Sequence, residues 1–227
     1  MPTLAEIGPP IFLTAGLASV TTILLLIVGT PIAWWLARTA SRWREPVAAL
    51  VALPLVLPPT VIGFYLLIAL GPNGPGGSIA GLWGARTLAF SFEGLVIGSI
   101  LYSLPFMTQP IRVAFETMGT DPIEAAHSLG ADRAQTFMRV IVPEARAGFF
   151  TGLILTFAHT VGEFGVVLMI GGNIPGETKV LSIAIYDFVE RGEWMKAHWV
   201  SAGMVIFAFV VVMATMLLDR RFGRLTG

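Results

Sequence analysis

Residues 124–143 read EAAHSLGADRAQTFMRVIVP, a stretch with two acids, two arginines, a histidine and a glycine. Long apolar runs flank it on both sides. Just upstream, Asp121-Pro122-Ile123-Glu124 has the form of a helix start. Asp121 can cap, proline suits the first helical position, and Glu124 can bond back to the cap. The helix is expected to run to Leu129, with Gly130 supplying the left-handed residue that ends it. Asp132-Arg133-Ala134-Gln135 repeats the capping pattern and starts a second helix. That helix should reach about Ile141, where Pro143 stops it. Ile123, Ala126, Gly130, Ala134, Phe137 and Ile141 recur at three- to four-residue steps, which makes a loose apolar stripe. The stretch therefore predicts a short helix, a sharp glycine turn and a second short helix.

The flanks decide where this element sits. The chain has 227 residues, of which 55% are hydrophobic and 12% charged, with a mean hydropathy of +0.80. Soluble domains carry roughly 25% charged residues. The composition points to an all-α, polytopic membrane protein forming one transmembrane domain over residues 1–227. A net charge of zero gives no basic field for nucleic acid. Cysteine is absent, which excludes disulfides and thiolate metal sites. The start, MPTLAEIGPP, has no Lys or Arg before its apolar run, so no signal peptide is expected.

A helix needs about 20 apolar residues to cross a bilayer core of roughly 30 Å. Five segments qualify, at about residues 11–37, 47–70, 92–113, 147–170 and 199–218. Helices are required because lipid cannot satisfy backbone polar groups. No run of short alternating strands suggests a barrel. Five spans put the termini on opposite sides. Ten basic residues (Arg38, Arg42, Arg44, Arg112, Arg133, Arg139, Arg146, Arg220, Arg221, Arg224) fall on one side and four (Arg86, Lys179, Arg191, Lys196) on the other. The side with ten is expected to be cytoplasmic. The N-terminus is then outside, the C-terminus inside, and the polar element faces the cytoplasm. Of the two outer loops, residues 71–84 are turn-rich and expected to be irregular. In the second, residues 180–188 are apolar but too short to span, and an interfacial or re-entrant helix is expected there.

Spacing alone is equally compatible with a plain surface hairpin at residues 121–143. Economy favours a docking element, because adjacent spans usually need only 2–8 connecting residues. Small Ala125 and Ala126 would also let another backbone approach. At this point a resemblance enters. Glu124-Ala125-Ala126, then Gly130, then Val140-Ile141-Val142-Pro143 resembles the EAA–Gly–Ile-x-Leu-Pro loop of ABC importer permeases, with valines where that family has Ile and Leu. Leu53–Leu67 (LPLVLPPTVIGFYLL) resembles the second span of molybdate importer permeases. GEFG (Gly162–Gly165) and GGNIPGET (Gly171–Thr178) resemble a segment shared by molybdate, tungstate and sulfate permeases. The short five-span chain is more similar to the molybdate group.

The resemblance implies an ABC importer permease (MetI-like) fold, with a cytoplasmic coupling loop at about residues 114–146 that sits in a groove of an ATPase subunit. The coupling residues are then Glu124, Ala125, Ala126, Gly130, Asp132 and Arg133. It also implies a permease homodimer, two ATPase subunits and an external molybdate-binding protein.

Residue chemistry adds a path. Pro54, Pro58 and Pro59 in one span free backbone carbonyls and invite a kink. Loosened backbone at membrane depth is tolerated only beside protein or water, so Pro58, Pro59 and Thr60 are candidate pathway residues. In the fourth span Gly148, Gly152, Thr156, His159, Thr160 and Glu163 recur at helical steps. The glycines fit a close-packing seam. An ionised acid at mid-membrane costs about 2.5–3.5 kcal/mol and faces the bundle interior, which makes Glu163 the fourth candidate. Its expected role is hydrogen bonding that holds the glycine-flanked region, since a carboxylate repels an oxyanion. His159, one turn earlier, can pair with it. Two possible ligands on one helix are too few for a metal.

GGNIPGETK lacks the Gly-Lys-Ser/Thr end of a phosphate-binding loop. No ATP chemistry and no bound cofactor are therefore expected in this chain. ATP and Mg²⁺ would belong to the partner. No span interior holds Lys or Arg. That predicts a weak path with affinity residing in the external protein, and transient contacts from helix N-termini and backbone amides. An ion-coupled transporter or channel would need an intramembrane relay, for which only His159 and Glu163 are available. A purely structural scaffold would leave the prolines and Glu163 unexplained.

Overall fold

A computed structural model describes the backbone of residues 1–223 and the side chains of residues 1–217. Arg224 lies outside the described residues, as do the side chains of Arg220 and Arg221. Every regular element among the described residues is a helix. Helix α1 covers Leu4–Arg38, starting seven residues before the apolar run at residue 11. Its start is fixed by polar chemistry, with the Thr3 N–H and hydroxyl donating to the Glu6 carboxylate at 2.7 and 2.9 Å.

The second span is broken. Helix α2, Arg44–Ala52, runs into a tight turn at Leu53–Leu55, and α3 restarts at Pro59–Leu70. The two halves meet at 107°. Pro54, Pro58 and Pro59 all lie at this break, and none can donate a helical hydrogen bond. The expected kink is a bend past a right angle. Residues 71–84, expected to be irregular, instead fold into α4, Pro75–Ala80, and a short turn at Gly81–Trp83. Their glycines and two prolines punctuate short helices rather than prevent them.

Helix α5 covers Phe92–Met118 and is capped by Ser91, whose hydroxyl accepts from the Gly94 N–H at 3.1 Å. The polar element follows as α6 (Asp121–Ser128), α7 (Arg133–Thr136), a wide π turn at Phe137–Ile141 and α8 (Val142–Glu144). The fourth span is α9, Arg146–Gly162. The apolar run continues to residue 170, but the helix stops at Glu163 and α10 restarts at Gly165–Gly171. Helix α11, Leu181–Glu190, is the short helix expected in the second outer loop, and α12, Trp194–Gly223, is the last span. Leu4–Arg38, Phe92–Met118 and Trp194–Leu217 are each long and apolar enough to cross a membrane. Two bent pairs, Arg44–Leu55 with Pro59–Leu70 and Arg133–Glu144 with Arg146–Gly162, raise the count to as many as five.

Two apolar clusters hold the bundle. One gathers Leu17, Leu95, Val166, Val167, Ile170 and Ile183; the other gathers Leu25, Met107, Ile111, Phe115, Ile141 and Ala145. Buried polar groups lie between them. Thr21 and Thr22 on α1, Ser99 and Ser103 on α5, and Thr156, Thr160 and Glu163 at the end of α9 are all buried. Small residues let these helices approach closely. A Cβ on Gly148 would lie 2.5 Å from the Ala114 Cβ and 2.6 Å from the Pro110 carbonyl oxygen, so α9 and α5 touch backbone to backbone there.

Candidate functional site

The first candidate region is the polar element at residues 121–144. Thr120, not Asp121, occupies the cap position of α6, and Asp121 and Pro122 form the first turn. Thr120 fills the place because the preceding Gly119, at φ 70°, turns the chain one residue earlier than the proline pattern implies. Gly130 takes φ 82° and carries the sharp turn, as expected. Asp132 caps α7, accepting from the Gln135 N–H at 2.8 Å. Pro143 does not stop the second helix, which continues to Glu144. The π turn at Phe137–Ile141 widens the coil where the proline ring would otherwise meet the Arg139 carbonyl.

Ile123, Ala126, Phe137 and Ile141 of the apolar stripe face the protein's own bundle, while Gly130 and Ala134 stay exposed. Ala126 and Ile141 are buried, and Ile123 and Phe137 pack on the cluster around Phe115. Trp34 of α1 meets Phe115 and Phe137 edge-on, with ring centroids 5.0 and 6.3 Å apart. The Arg38 guanidinium lies 5.1 Å from the Trp34 ring and donates to the Phe115 and Gly119 carbonyls, at 3.1 and 2.5 Å. A cation on the last carbonyls of α5 satisfies acceptors the helix leaves open and suits its negative end. Arg44 and Arg112 both reach Glu116, at 2.8 and 2.9 Å. The element thus packs on α1 and α5, and the arginines fix the end of α5 from which it starts.

Its outer face is a separate surface. Glu124, Ala125, Gly130, Asp132 and Arg133 are exposed, and Ala126 alone of the expected coupling residues is turned inward. The sequence pattern did not single out Leu129 and Met138, which stand 89% and 66% exposed on this same element. Both fall outside the three-to-four-residue stripe, and that offset was the available signal.

The second candidate region lies where both broken spans meet. A cavity of about 550 Å³ is lined by Pro59, Thr60, Tyr102, His159, Glu163 and Phe164, among others. Three of the four expected pathway residues, Pro59, Thr60 and Glu163, converge here from segments a hundred residues apart. Pro58 caps α3 beside them without lining the cavity. The two restarts pack tightly, since a Cβ on Gly165 would come within 2.8 Å of the Pro59 Cβ.

Glu163 ends α9 with extended backbone, φ −61° and ψ 134°. Its side chain is fully buried. The Ser99 hydroxyl donates to Oε2 and the Ser103 hydroxyl to Oε1, both at 2.6 Å. The Ser182 hydroxyl of α11 donates to the Glu163 carbonyl oxygen. One residue therefore ties α9 to α5 through its side chain and to α11 through its backbone. His159 Nδ1 lies 2.9 Å from Ser103 Oγ and 3.6 Å from Glu163 Oε1. The imidazole stacks on Phe106, centroids 3.9 Å apart, and leans on Tyr102 at 4.9 Å.

The α11 side of this region is stitched down. The Asp187 carboxylate of α11 takes hydrogen bonds from Asn173 Nδ2 at 2.5 Å, from Lys179 Nζ, and from Arg191 at 3.2 Å. The Leu181 N–H donates to Thr14 Oγ1 of α1 at 2.8 Å.

Residues 29–226 match the family described as binding-protein-dependent transport system inner membrane component. The molybdenum transport system permease protein ModB of Azotobacter vinelandii is 58% identical over 210 residues, spanning 92% of each chain. ModB of Haemophilus influenzae is 34% identical over 188 residues, 83% of this chain and 81% of that one. Among solved structures, a chain of a bacterial alginate ABC transporter in complex with its alginate-bound periplasmic protein superposes with a TM-score of 0.74. It is 18% identical and covers 95% of this chain and 79% of that one. A chain of the MetNI methionine ABC transporter, crystallised in inward-facing conformations, gives 0.71 at 18% identity, with 96% and 97% covered. At these identities the two structures speak for the fold, an all-α ABC importer permease arrangement of the MetI-like kind.

Proposed function

Because the chain belongs to the family of inner-membrane components of binding-protein-dependent transport systems, we propose that it is the membrane subunit of an ATP-driven importer. Its cargo is molybdate or a closely similar oxyanion, moved across the inner membrane by alternating access. A separate cytoplasmic ATPase pair hydrolyses ATP with Mg²⁺, and an external binding protein delivers the anion. Two copies of the chain form the path between them. The whole of residues 1–227 serves as one membrane domain, with the N-terminus outside and the C-terminus in the cytoplasm.

The observation that carries this reading is the two-faced polar element. Its inner face packs on α1 and α5, so a push on it is transmitted to the spans rather than absorbed by a loose loop. Its outer face leaves Glu124, Ala125, Gly130, Asp132, Arg133 and the apolar Leu129 free for a partner. In this account Ala126 packs and does not dock. The path passes the cavity at Pro58, Pro59, Thr60 and Glu163. Glu163 holds the wall together there, with its charge occupied by two serines.

Copurification tests the coupling role. The chain should bring down a P-loop ATPase, and Leu129→Glu should abolish that without lowering the melting temperature of the permease. Retained ATPase in the Leu129→Glu preparation would move the docking surface elsewhere.

A further inference from the structure

We propose that His159 is the anion contact of the path. With Nδ1 held by Ser103, its imidazole offers Nε2–H to a tetrahedral oxyanion in the cavity and carries the compensating positive charge while the anion is there. The inference rests on the importer reading above.

No Lys or Arg lines the cavity, so a dianion entering it meets no permanent cation on the wall. His159 is the basic side chain on its wall. The hydrogen-bond pattern fixes which nitrogen is available. Ser103 Oγ has one proton, and it goes to Glu163 Oε1 at 2.6 Å. Ser103 Oγ is then an acceptor towards His159, so Nδ1 carries a proton and donates across 2.9 Å. Thr160 Oγ1, 3.1 Å away, is left to donate to the second lone pair of Ser103 Oγ. Nε2 is the nitrogen left for the cavity. A neutral imidazole with Nδ1–H presents a bare lone pair there, which an oxyanion repels. A proton on Nε2 turns the same atom into a charged donor.

The surroundings hold the ring in place for that contact. Phe106 and Tyr102 lie against the ring at 3.9 and 4.9 Å, and aromatic faces attract a cation. The Glu163 carboxylate stands 3.6 Å behind it, with its own oxygens turned to Ser99 and Ser103 and no exposed surface. The carboxylate therefore fixes the serine that orients the imidazole, with its own oxygens turned away from the anion. A single histidine in this setting gives a weak, reversible contact, which suits passage rather than storage.

The test is ATP-driven uptake by the reconstituted complex with its binding protein, using radiolabelled molybdate. His159→Gln keeps a hydrogen-bonding side chain but no charge, and His159→Arg supplies a permanent cation. The proposal predicts about a tenfold rise in KM for delivered molybdate with His159→Gln. It predicts a KM at or below the wild-type value with His159→Arg, at half or more of the wild-type maximal rate. Wild-type KM in His159→Gln overturns it. So does His159→Arg losing transport together with thermal stability, the behaviour of a histidine that merely fills space between two rings. If His159→Gln does not fold, the His159→Arg result decides alone. If the wild-type complex moves no tetrahedral oxyanion at all, the importer reading fails first, and the two failures are told apart.

Discussion

Glu163 shows how one residue can be costly and still necessary. Its carboxylate is buried at a helix break, and two serines from α5 supply its partners. Removing it strands those hydroxyls, and each buried unsatisfied group costs about 1–3 kcal/mol. Glu163→Ala should therefore lower the melting temperature of the solubilised permease clearly, and Glu163→Gln less, because the amide retains one acceptor. An unchanged melt in Glu163→Ala would mean that the serines find other partners. Gly130 is a residue of a different kind. At φ 82°, with no atom within 4 Å of an added Cβ, its cost on substitution is purely conformational, about 1–2 kcal/mol. Gly130→Ala should weaken ATPase binding by about thirtyfold at most, read by titration of the purified partner. Gly130→Pro should abolish the turn, since proline cannot take positive φ.

Among the elements, breaks matter more than spans. The sequence made the five apolar runs, the polar knuckle, its glycine turn and the Asp132 cap legible, because each is written in local composition or turn chemistry. The bend past a right angle at Pro54, Pro58 and Pro59 was legible as a kink only. The stop of α9 at Glu163 was not legible from hydropathy, since the apolar run continues to residue 170 through Gly165. That break depends on tertiary contacts: two serines on another helix, and Pro59 against Gly165. The inward turn of the knuckle's apolar stripe was hidden for the same reason. An amphipathic pattern shows that a face is buried without showing against what. Gly162 and Gly165 separate these ideas experimentally. A Cβ at Gly162 meets nothing within 4 Å, whereas one at Gly165 meets Pro59 at 2.8 Å. Gly162→Ala should preserve uptake, and Gly165→Val should abolish it by forcing α3 and α10 apart. Equal effects from the two would contradict the tight packing of the restarts.

For the whole molecule, the arrangement is a bundle with a polar layer between two apolar clusters, a cavity at that layer and a rigid knuckle at one end. The basic residues on the knuckle side predict its cytoplasmic orientation. The chain has no cysteine, so single cysteines report sidedness without background. His127→Cys should react with an impermeant maleimide only in inverted vesicles, and Glu177→Cys only in right-side-out cells. The opposite pattern would reverse the topology. The central claim is that energy enters through a partner at the knuckle and releases an oxyanion path. The most direct measurement is molybdate uptake into proteoliposomes holding the permease, with external binding protein, with and without the ATPase subunit and internal ATP. The account predicts uptake only when ATPase and ATP are both present, strongest for molybdate when compared with tungstate and sulfate. Uptake by the permease alone, driven by a proton gradient or by the anion's own gradient, would contradict it.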